Sequence, residues 1–200
     1  MNLLSYHNYL NIPYLQLHFT AVSMGGDFPM NKTSALRGGT GKMMILQNCV
    51  LADSELSEED CLKCGCMDEC LVQRFLYTPM RLKPDMSYNK ISMGYIFSCE
   101  DYRTYIESGD TFQFQVILFG KSRVYLNLLL QAIDTLGFMG LGKNQTKFQI
   151  VKVTNSRKQT IIDRENYGNS LFKENCRPET LASYVDYRMN KLKGQEDICL

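Results

Sequence analysis

The stretch FQFQVILFGKSRVYLNLLLQAIDTLGFMGLGKNQTKFQIVKV, residues 112–153, contains the elements that decide the fold. Apolar and polar residues alternate from Thr111 to Phe119, which predicts a strand with one buried face. Gly120 ends that strand, and the following leucines and isoleucine recur at the spacing of one helical face, which predicts a helix ending at Gly137. Phe148–Val153 is short and rich in β-forming residues. The stretch therefore predicts a strand, a helix and a second strand.

The part of the chain before this stretch adds two strands and a helix. Tyr14–Val22 alternates in the same way. A helix is predicted from Thr33 or Ser34 to about Cys49, and Ile91–Cys99 is predicted to be a strand. The order β-α-β-β-α-β predicts an α+β fold of the ferredoxin-like (RRM-like) type, in which helices cover one face of an antiparallel sheet.

Composition and charge indicate which partners to expect. The net charge is only +1, but residues 53–70 hold seven carboxylates against Lys63, and residues 121–158 hold seven bases against Asp134. The first segment is expected to avoid nucleic acid and the second to accept phosphates, unless it is simply a solvated face. Neither an export signal nor a membrane span is predicted, so the protein is expected in the cytoplasm.

Five of the eight cysteines lie close together, at positions 49, 61, 64, 66 and 70. The two-residue spacing between Cys61 and Cys64 is typical of a metal knuckle, and Cys49 and Cys70 complete a tetrahedral set of four thiolates. This set predicts a structural zinc site in an acidic insertion, with Cys66 as the spare thiol. An iron–sulfur cluster would use the same ligands, and reduced thiols are the alternative.

Two glycine-rich segments are candidates for contact with nucleic acid. The loop after the second predicted helix contains Gly140, Gly142, Lys143 and Lys147; its backbone N–H groups and lysines suit phosphates, although its spacing is not that of a P-loop. The start of the first helix, residues 34–42, places the bases Arg37 and Lys42 beside three glycines. A helix stop and ordinary solvated bases are the alternatives.

Candidates for acid–base catalysis are confined to two histidines. His18 lies on the polar side of the first strand, and His7 lies in the N-terminal segment. Either is a candidate general acid or base, but neither has an evident partner in the sequence. No Ser-His-Asp or two-carboxylate motif is recognisable.

Three segments, in this order, carry a resemblance to a known family. The first is FPMNKTSALRGGTGKMM, residues 28–44, with a proline, a spacer and a leucine-arginine-glycine helix start. The second is the cysteine set, followed by the apolar-aromatic residues 74–77, and the third is the stretch 112–153. Together they resemble the RAMP superfamily of CRISPR proteins, specifically the repeat-processing endoribonucleases with a cysteine insertion, over residues 14–153.

The resemblance implies a protein that binds the repeat of precursor CRISPR RNA and cleaves it without a metal, leaving a 2′,3′-cyclic phosphate. The positions that match the family's motifs imply that Arg37 and Lys42 contact the RNA. They also imply that Gly140, Gly142 and Lys143 belong to the family's glycine-rich loop. Catalytic residues vary in the family, so none is carried over, and His18 stays a candidate from the sequence alone.

The resemblance also implies a domain organisation. Residues 1–155 are expected to form a ferredoxin-like RAMP domain with a cysteine-rich insertion at about 49–77. Residues 156–200 are expected to form a linker, a helix and the beginning of a second, truncated ferredoxin-like domain, so that cleavage would need the missing half.

Two other functions are compatible with the same residues. One is a non-catalytic RAMP subunit that holds guide RNA in an effector complex with other CRISPR-associated subunits. The other is a zinc-stabilised interaction module without an RNA role.

Overall fold

A computed structural model describes residues 10–49, 63–66, 69–76 and 94–193. The strands are β1 (Pro13–Asp27), β2 (Tyr95–Ser98), β3 (Tyr105–Phe119), β4 (Phe148–Asn155), β5 (Thr160–Asp163) and β6 (Glu179–Thr180). The α-helices are α1 (Lys32–Asn48), α2 (Leu71–Leu76), α3 (Leu126–Met139), α4 (Arg164–Tyr167) and α5 (Leu181–Lys193). Short 3-10 helices span Gly120–Tyr125 and Lys173–Cys176.

The described strands form an antiparallel sheet in the order β2-β3-β1-β4-β5, and β6 pairs with the first residues of β1. The first helix connects β1 to β2, and α3 connects β3 to β4, so the four strands β4-β1-β3-β2 have ferredoxin-like order. The predicted α+β ferredoxin-like fold is therefore confirmed.

The hydrophobic core lies between this sheet and the helices. In β1, the side chains of Leu15, Leu17, Phe19 and Ala21 are at most 3% exposed, whereas the residues between them are half-buried. Across the strands, the rings of Phe19 and Phe114 stack with centroids 4.7 Å apart, a contact that adds about 1 kcal/mol to the burial of the two rings. The alternation seen in the sequence thus sets which face of the sheet is covered.

Three predicted boundaries were wrong. The strand β1 was expected to end at Val22 but runs to Asp27. The strand β3 was expected to begin at Thr111 but begins at Tyr105, and its pairing with β1 shifts within Ser108–Asp110, where two residues of β3 face the single residue Ser23. Gly109, with φ 90°, takes the positive φ that this bulge needs. The strand therefore continues through a tripeptide that alone would favour a turn.

The second helix does not end at Gly137 but continues to Met139. Gly137 is required for packing instead, since a Cβ atom there would lie 2.5 Å from the carbonyl oxygen of Phe148 in β4. Gly140 ends the helix with φ 101°, and its N–H donates to the carbonyl oxygen of Leu136.

The packing role of Gly137 predicts that alanine has opposite effects on stability at two glycines. We expect Gly137→Ala to lower the free energy of unfolding by about 2 kcal/mol, because the added methyl group overpacks the contact between α3 and β4. In contrast, a Cβ atom at Gly38 in α1 would meet no other atom within 4 Å, and Gly38→Ala is expected to raise the free energy by about 1 kcal/mol. Urea denaturation measures both, and a Gly137→Ala variant as stable as the wild type would contradict the packing argument.

The sheet continues beyond residue 155. The strand β5 pairs with β4, and β6 pairs with β1. The N–H groups of Leu181 and Ala182, which begin α5, donate to the carbonyl oxygens of Ile12 and Leu10 at 3.1 and 2.9 Å. That residues 156–200 begin a second domain stays a prediction, as does the boundary at 155.

A buried lysine, which the sequence did not single out, joins α1 to the loop between β2 and β3. The side chain of Lys32 has 0% exposure, and its Nζ atom donates to the carbonyl oxygens of Asp101, at 2.9 Å, and Arg103. It also lies 3.5 Å from the Asp101 carboxylate. This lysine is therefore part of the core and is not available to a ligand.

Candidate nucleic-acid interface

A groove of about 400 Å³ brings the two glycine-rich segments together. We call it the glycine groove; its lining includes Ser34, Gly38, Gly39 and Lys42 of α1, Leu136 of α3, and Gly140, Leu141 and Gly142 of the loop. Of the predicted RNA-binding residues, Lys42, Gly140 and Gly142 thus share one cavity although nearly a hundred positions separate them in the chain.

Close packing of two helices brings the segments together. A Cβ atom at Gly39 would lie 2.6 Å from Cδ1 of Leu136, so a glycine here lets α1 approach α3. Gly38, the preceding residue, is exposed and faces open space. The glycines of α1 therefore have two roles: Gly39 permits the approach, and Gly38 leaves bare backbone in the groove.

The glycine loop is a tight hairpin that begins where α3 ends. Leu141 and Thr146 exchange backbone hydrogen bonds of 2.9 and 3.2 Å, and the N–H of Gln145 donates to Gly142. Gly140 and Gly142 have φ of 101° and 74°, and a Cβ atom at Gly140 would lie 2.1 Å from the carbonyl oxygen of Gln145. The hydroxyl of Thr146 donates to the carbonyl oxygen of Asp27, which ties the loop to β1.

The tip of this hairpin presents donors to solvent. The N–H groups of Gly142, Lys143 and Asn144 have no acceptor within the parts of the chain that the structure describes, and all three residues are exposed. Consecutive backbone N–H groups beside a lysine suit a phosphate group. The tip therefore extends the glycine groove with donors and one positive charge.

The other predicted RNA-binding residues lie outside the groove lining. Lys147 places its Nζ atom 5.0 Å from the ring centroid of Phe138, a cation–π contact at the base of the loop. Arg37 is exposed on α1 and interacts with the hydroxyl of Tyr95; burial raises the pKa of that hydroxyl, and Arg37 opposes the shift. Arg37 thus contacts β2 rather than the loop.

His18 lies on the sheet face opposite the core. It pairs with Gln115 of β3 and Thr154 of β4, and it lines two cavities of about 590 Å³ that share no residue with the glycine groove. Burial lowers the pKa of its imidazole, which favours the neutral form at pH 7. A catalytic role for His18 stays a prediction, and the structure separates it from the groove. His7 lies outside the described residues.

The predicted zinc ligands are only partly described. Cys49 follows α1, and Cys64, Cys66 and Cys70 precede α2, whereas Cys61 lies outside the described residues. Within the described ranges, no group of three or more His, Cys, Asp or Glu side chains is placed so that it could hold a metal ion. The sulfur atoms of Cys64 and Cys70 accept the N–H groups of Cys66 and Gln73, each at 3.4 Å. The zinc site stays a prediction.

The fold and the groove define a class of protein: a ferredoxin-like domain with a structured glycine loop after its second core helix. Residues 10–176 match the family model AF_1859_N, which is described as an N-terminal domain, and the chain belongs to this family.

Among solved structures, the chain is similar to one in the crystal structure of the Csm3-Csm4 subcomplex of the type III-A CRISPR-Cas interference complex. The identity is 12% and the TM-score 0.45, and the match covers 90% of this chain and 96% of that chain. No curated protein matches the sequence. In the described part of the chain, no helix has both the length and the apolar character needed to cross a membrane.

Proposed function

We propose that this protein binds CRISPR repeat RNA in the glycine groove and is the N-terminal part of a metal-independent endoribonuclease of the RAMP superfamily. The observation that carries the proposal is the meeting of the two glycine segments around one cavity. Lys42 lines this cavity, and the exposed Lys143 follows its lining residue Gly142 at the tip of the hairpin. Both segments belong to the stretches that resemble RAMP proteins.

The groove suits a nucleic-acid backbone for three reasons. Lys42 in its lining and the exposed Lys143 at the hairpin tip supply positive charge, which dominates the affinity of proteins for nucleic acids. The N–H groups of residues 142–144 are available to phosphate oxygens. Gly38 and the apolar lining around Met43 and Leu46 allow a ribose or base to lie close to the backbone of α1.

Cleavage would follow from attack by a ribose 2′-hydroxyl on the adjacent phosphorus atom. The 2′-oxygen forms a bond to phosphorus, a general base takes its proton, and the bond to the 5′-oxygen breaks as a general acid protonates that oxygen. Lys42 and Lys143 would stabilise the charge that develops on the phosphate oxygens. Because His18 lies outside the groove, a base for this step would come from another part of the protein or from a partner.

One observation favours a second function, that of a non-catalytic RAMP subunit. The lining of the groove contains no histidine and no carboxylate, so its described residues are suited to binding rather than proton transfer. Met139 in the lining and its neighbour Phe138 are 50% and 72% exposed, an apolar surface suited to another CRISPR-associated subunit. Both functions place the protein in the cytoplasm.

Incubation of the full chain with labelled CRISPR repeat RNA in the presence of EDTA tests the proposal. A product ending in 2′,3′-cyclic phosphate is expected for the endoribonuclease, and binding without cleavage for the non-catalytic subunit. A labelled RNA of the same length and scrambled sequence serves as the control. A chain that neither binds nor cleaves the repeat would contradict both functions.

A further inference from the structure

The helix α5 forms a second cavity on the sheet face opposite the core. Pairing of β6 with β1, together with the two hydrogen bonds from Leu181 and Ala182, fixes the start of the helix. A cavity of about 590 Å³ lies between the helix and the sheet, within the range of small-ligand sites. We call it the tyrosine pocket; its lining includes Tyr14, His18, Ser156, Arg157, Tyr184 and Tyr187.

Two tyrosine rings of α5 are exposed in this pocket. Tyr184 and Tyr187 are 44% and 62% exposed, and their spacing of three residues places them on one face of the helix. Exposed aromatic rings on a rigid element are the feature on which unpaired bases stack. By contrast, the ring of Tyr14, which lines the pocket from β1, is only 3% exposed.

A guanidinium group is held at the edge of the pocket. The carboxylate of Glu179 accepts from Nε of Arg157 at 2.6 Å and from the hydroxyl of Tyr14 at 3.0 Å. Burial raises the pKa of Glu179, but these hydrogen bonds outweigh it and lower the pKa overall, so the carboxylate stays charged. The Arg157 side chain is nevertheless 70% exposed, and only its Nε atom is used in the contact with Glu179, so its terminal amino groups can bind a phosphate.

The floor of the pocket carries donors and acceptors without net charge. It includes the imidazole of His18, the hydroxyl of Ser156 and the amide of Gln16, which donates to Gln115 at 3.0 Å. Since burial keeps the imidazole neutral near pH 7, one of its ring nitrogens can donate and the other can accept. Groups of this kind recognise base edges and the ribose 2′-hydroxyl.

We infer that the tyrosine pocket binds one nucleotide of single-stranded RNA, with its base against Tyr184 and Tyr187 and its phosphate at Arg157. The inference rests on the proposed function, because the nucleotide belongs to an RNA that the glycine groove also contacts. The groove holds the backbone, and the pocket holds an unpaired base on the opposite face of the same sheet. Single-stranded RNA is therefore favoured over duplex RNA at this site.

The test uses the full chain and a fluorescently labelled, unpaired RNA oligomer, with affinity measured by anisotropy. The variant Tyr184→Ala with Tyr187→Ala is expected to bind at least tenfold more weakly, because it removes both rings on which the base stacks. The corresponding Tyr→Phe variant retains the rings and is expected to bind within threefold of the wild type. Tyr105→Ala removes a ring of similar exposure, 60%, outside the pocket and is the matched control.

The outcomes separate this inference from the proposed function. Unchanged affinity in the Tyr→Ala variant, while charge reversal in the glycine groove weakens binding, overturns the pocket and leaves the groove in place. Equal losses in the Tyr→Ala and Tyr→Phe variants also overturn it, because stacking would then not be the cause. An absence of RNA binding by the wild-type chain overturns both.

Discussion

Replacement of Lys32 by methionine is expected to lower the free energy of unfolding by about 3 kcal/mol. Methionine keeps most of the apolar stem but removes the ammonium group that donates to the carbonyl oxygens of Asp101 and Arg103. Those oxygens then lose a charged partner inside a site with no exposure at the lysine. Leaving buried acceptors unpaired costs more than the hydrogen bonds themselves contribute.

The ion pair of Lys32 with Asp101 determines how the stability of the protein changes with pH at this site. The pKa of Asp101 is lowered, chiefly by the hydrogen bond from Arg103 and also by the charge of Lys32. Its contribution to stability is therefore present at neutral pH and is lost as the pH falls through the lowered pKa. The charge of Lys32 contributes least where Asp101 is protonated, so the difference between the wild type and Lys32→Met is expected to shrink in acid.

Urea denaturation at pH 7 measures this effect. The matched control is Lys173→Met, which removes an exposed lysine and is expected to change the free energy by less than about 0.5 kcal/mol. If both methionine variants unfold at the same urea concentration as the wild type, Lys32 does not hold the loop between β2 and β3.

The fold could be predicted because its four central strands and two helices carry regular periods. The alternation at Leu15, Leu17 and Phe19 and the helical spacing of Leu129, Ile133 and Leu136 come from burial on one face, and burial is what periodicity reports. The predicted boundaries of strands and helices were wrong where a tertiary contact overrode the local conformational preference of the residues. Gly137 is a helix breaker by propensity, but the approach of β4 requires it inside the helix.

The candidate site could be predicted only in pieces. The sequence indicated Lys42 and the glycine loop separately, but their meeting depends on the approach of α1 to α3 at Gly39, a three-dimensional contact that no local pattern reports. The burial of Lys32 could not be predicted, because a lysine is rarely fully buried. The only feature of the tyrosine pocket visible in the sequence is a pair of tyrosines three residues apart on a predicted helix. Their role could not be predicted, because it depends on the position of α5 against the sheet.

The second large effect concerns the glycine groove. Charge reversal by Lys42→Glu together with Lys143→Glu is expected to weaken binding of repeat RNA at least tenfold, which corresponds to about 1.4 kcal/mol or more. Both lysines are exposed, so the substitutions are not expected to disturb the core. Removal of each lysine that binds a phosphate is expected to reduce the slope of log affinity against log salt by about one.

The matched control reverses two exposed lysines elsewhere, with Lys63→Glu and Lys173→Glu. It changes the net charge by the same amount, so a general loss of electrostatic attraction would weaken both double variants equally. Lys63 lies in the acidic segment expected to avoid nucleic acid. A local role for the groove therefore predicts a weakening in the first double variant that the control does not share.

The affinity of the full chain for labelled CRISPR repeat RNA, measured by anisotropy over a series of salt concentrations, tests whether RNA lies between α1 and the glycine hairpin. We expect tight, salt-sensitive binding by the wild type and the control, with a salt slope lower by about two for Lys42→Glu with Lys143→Glu. Identical affinities and slopes for the two double variants would contradict this placement of the RNA.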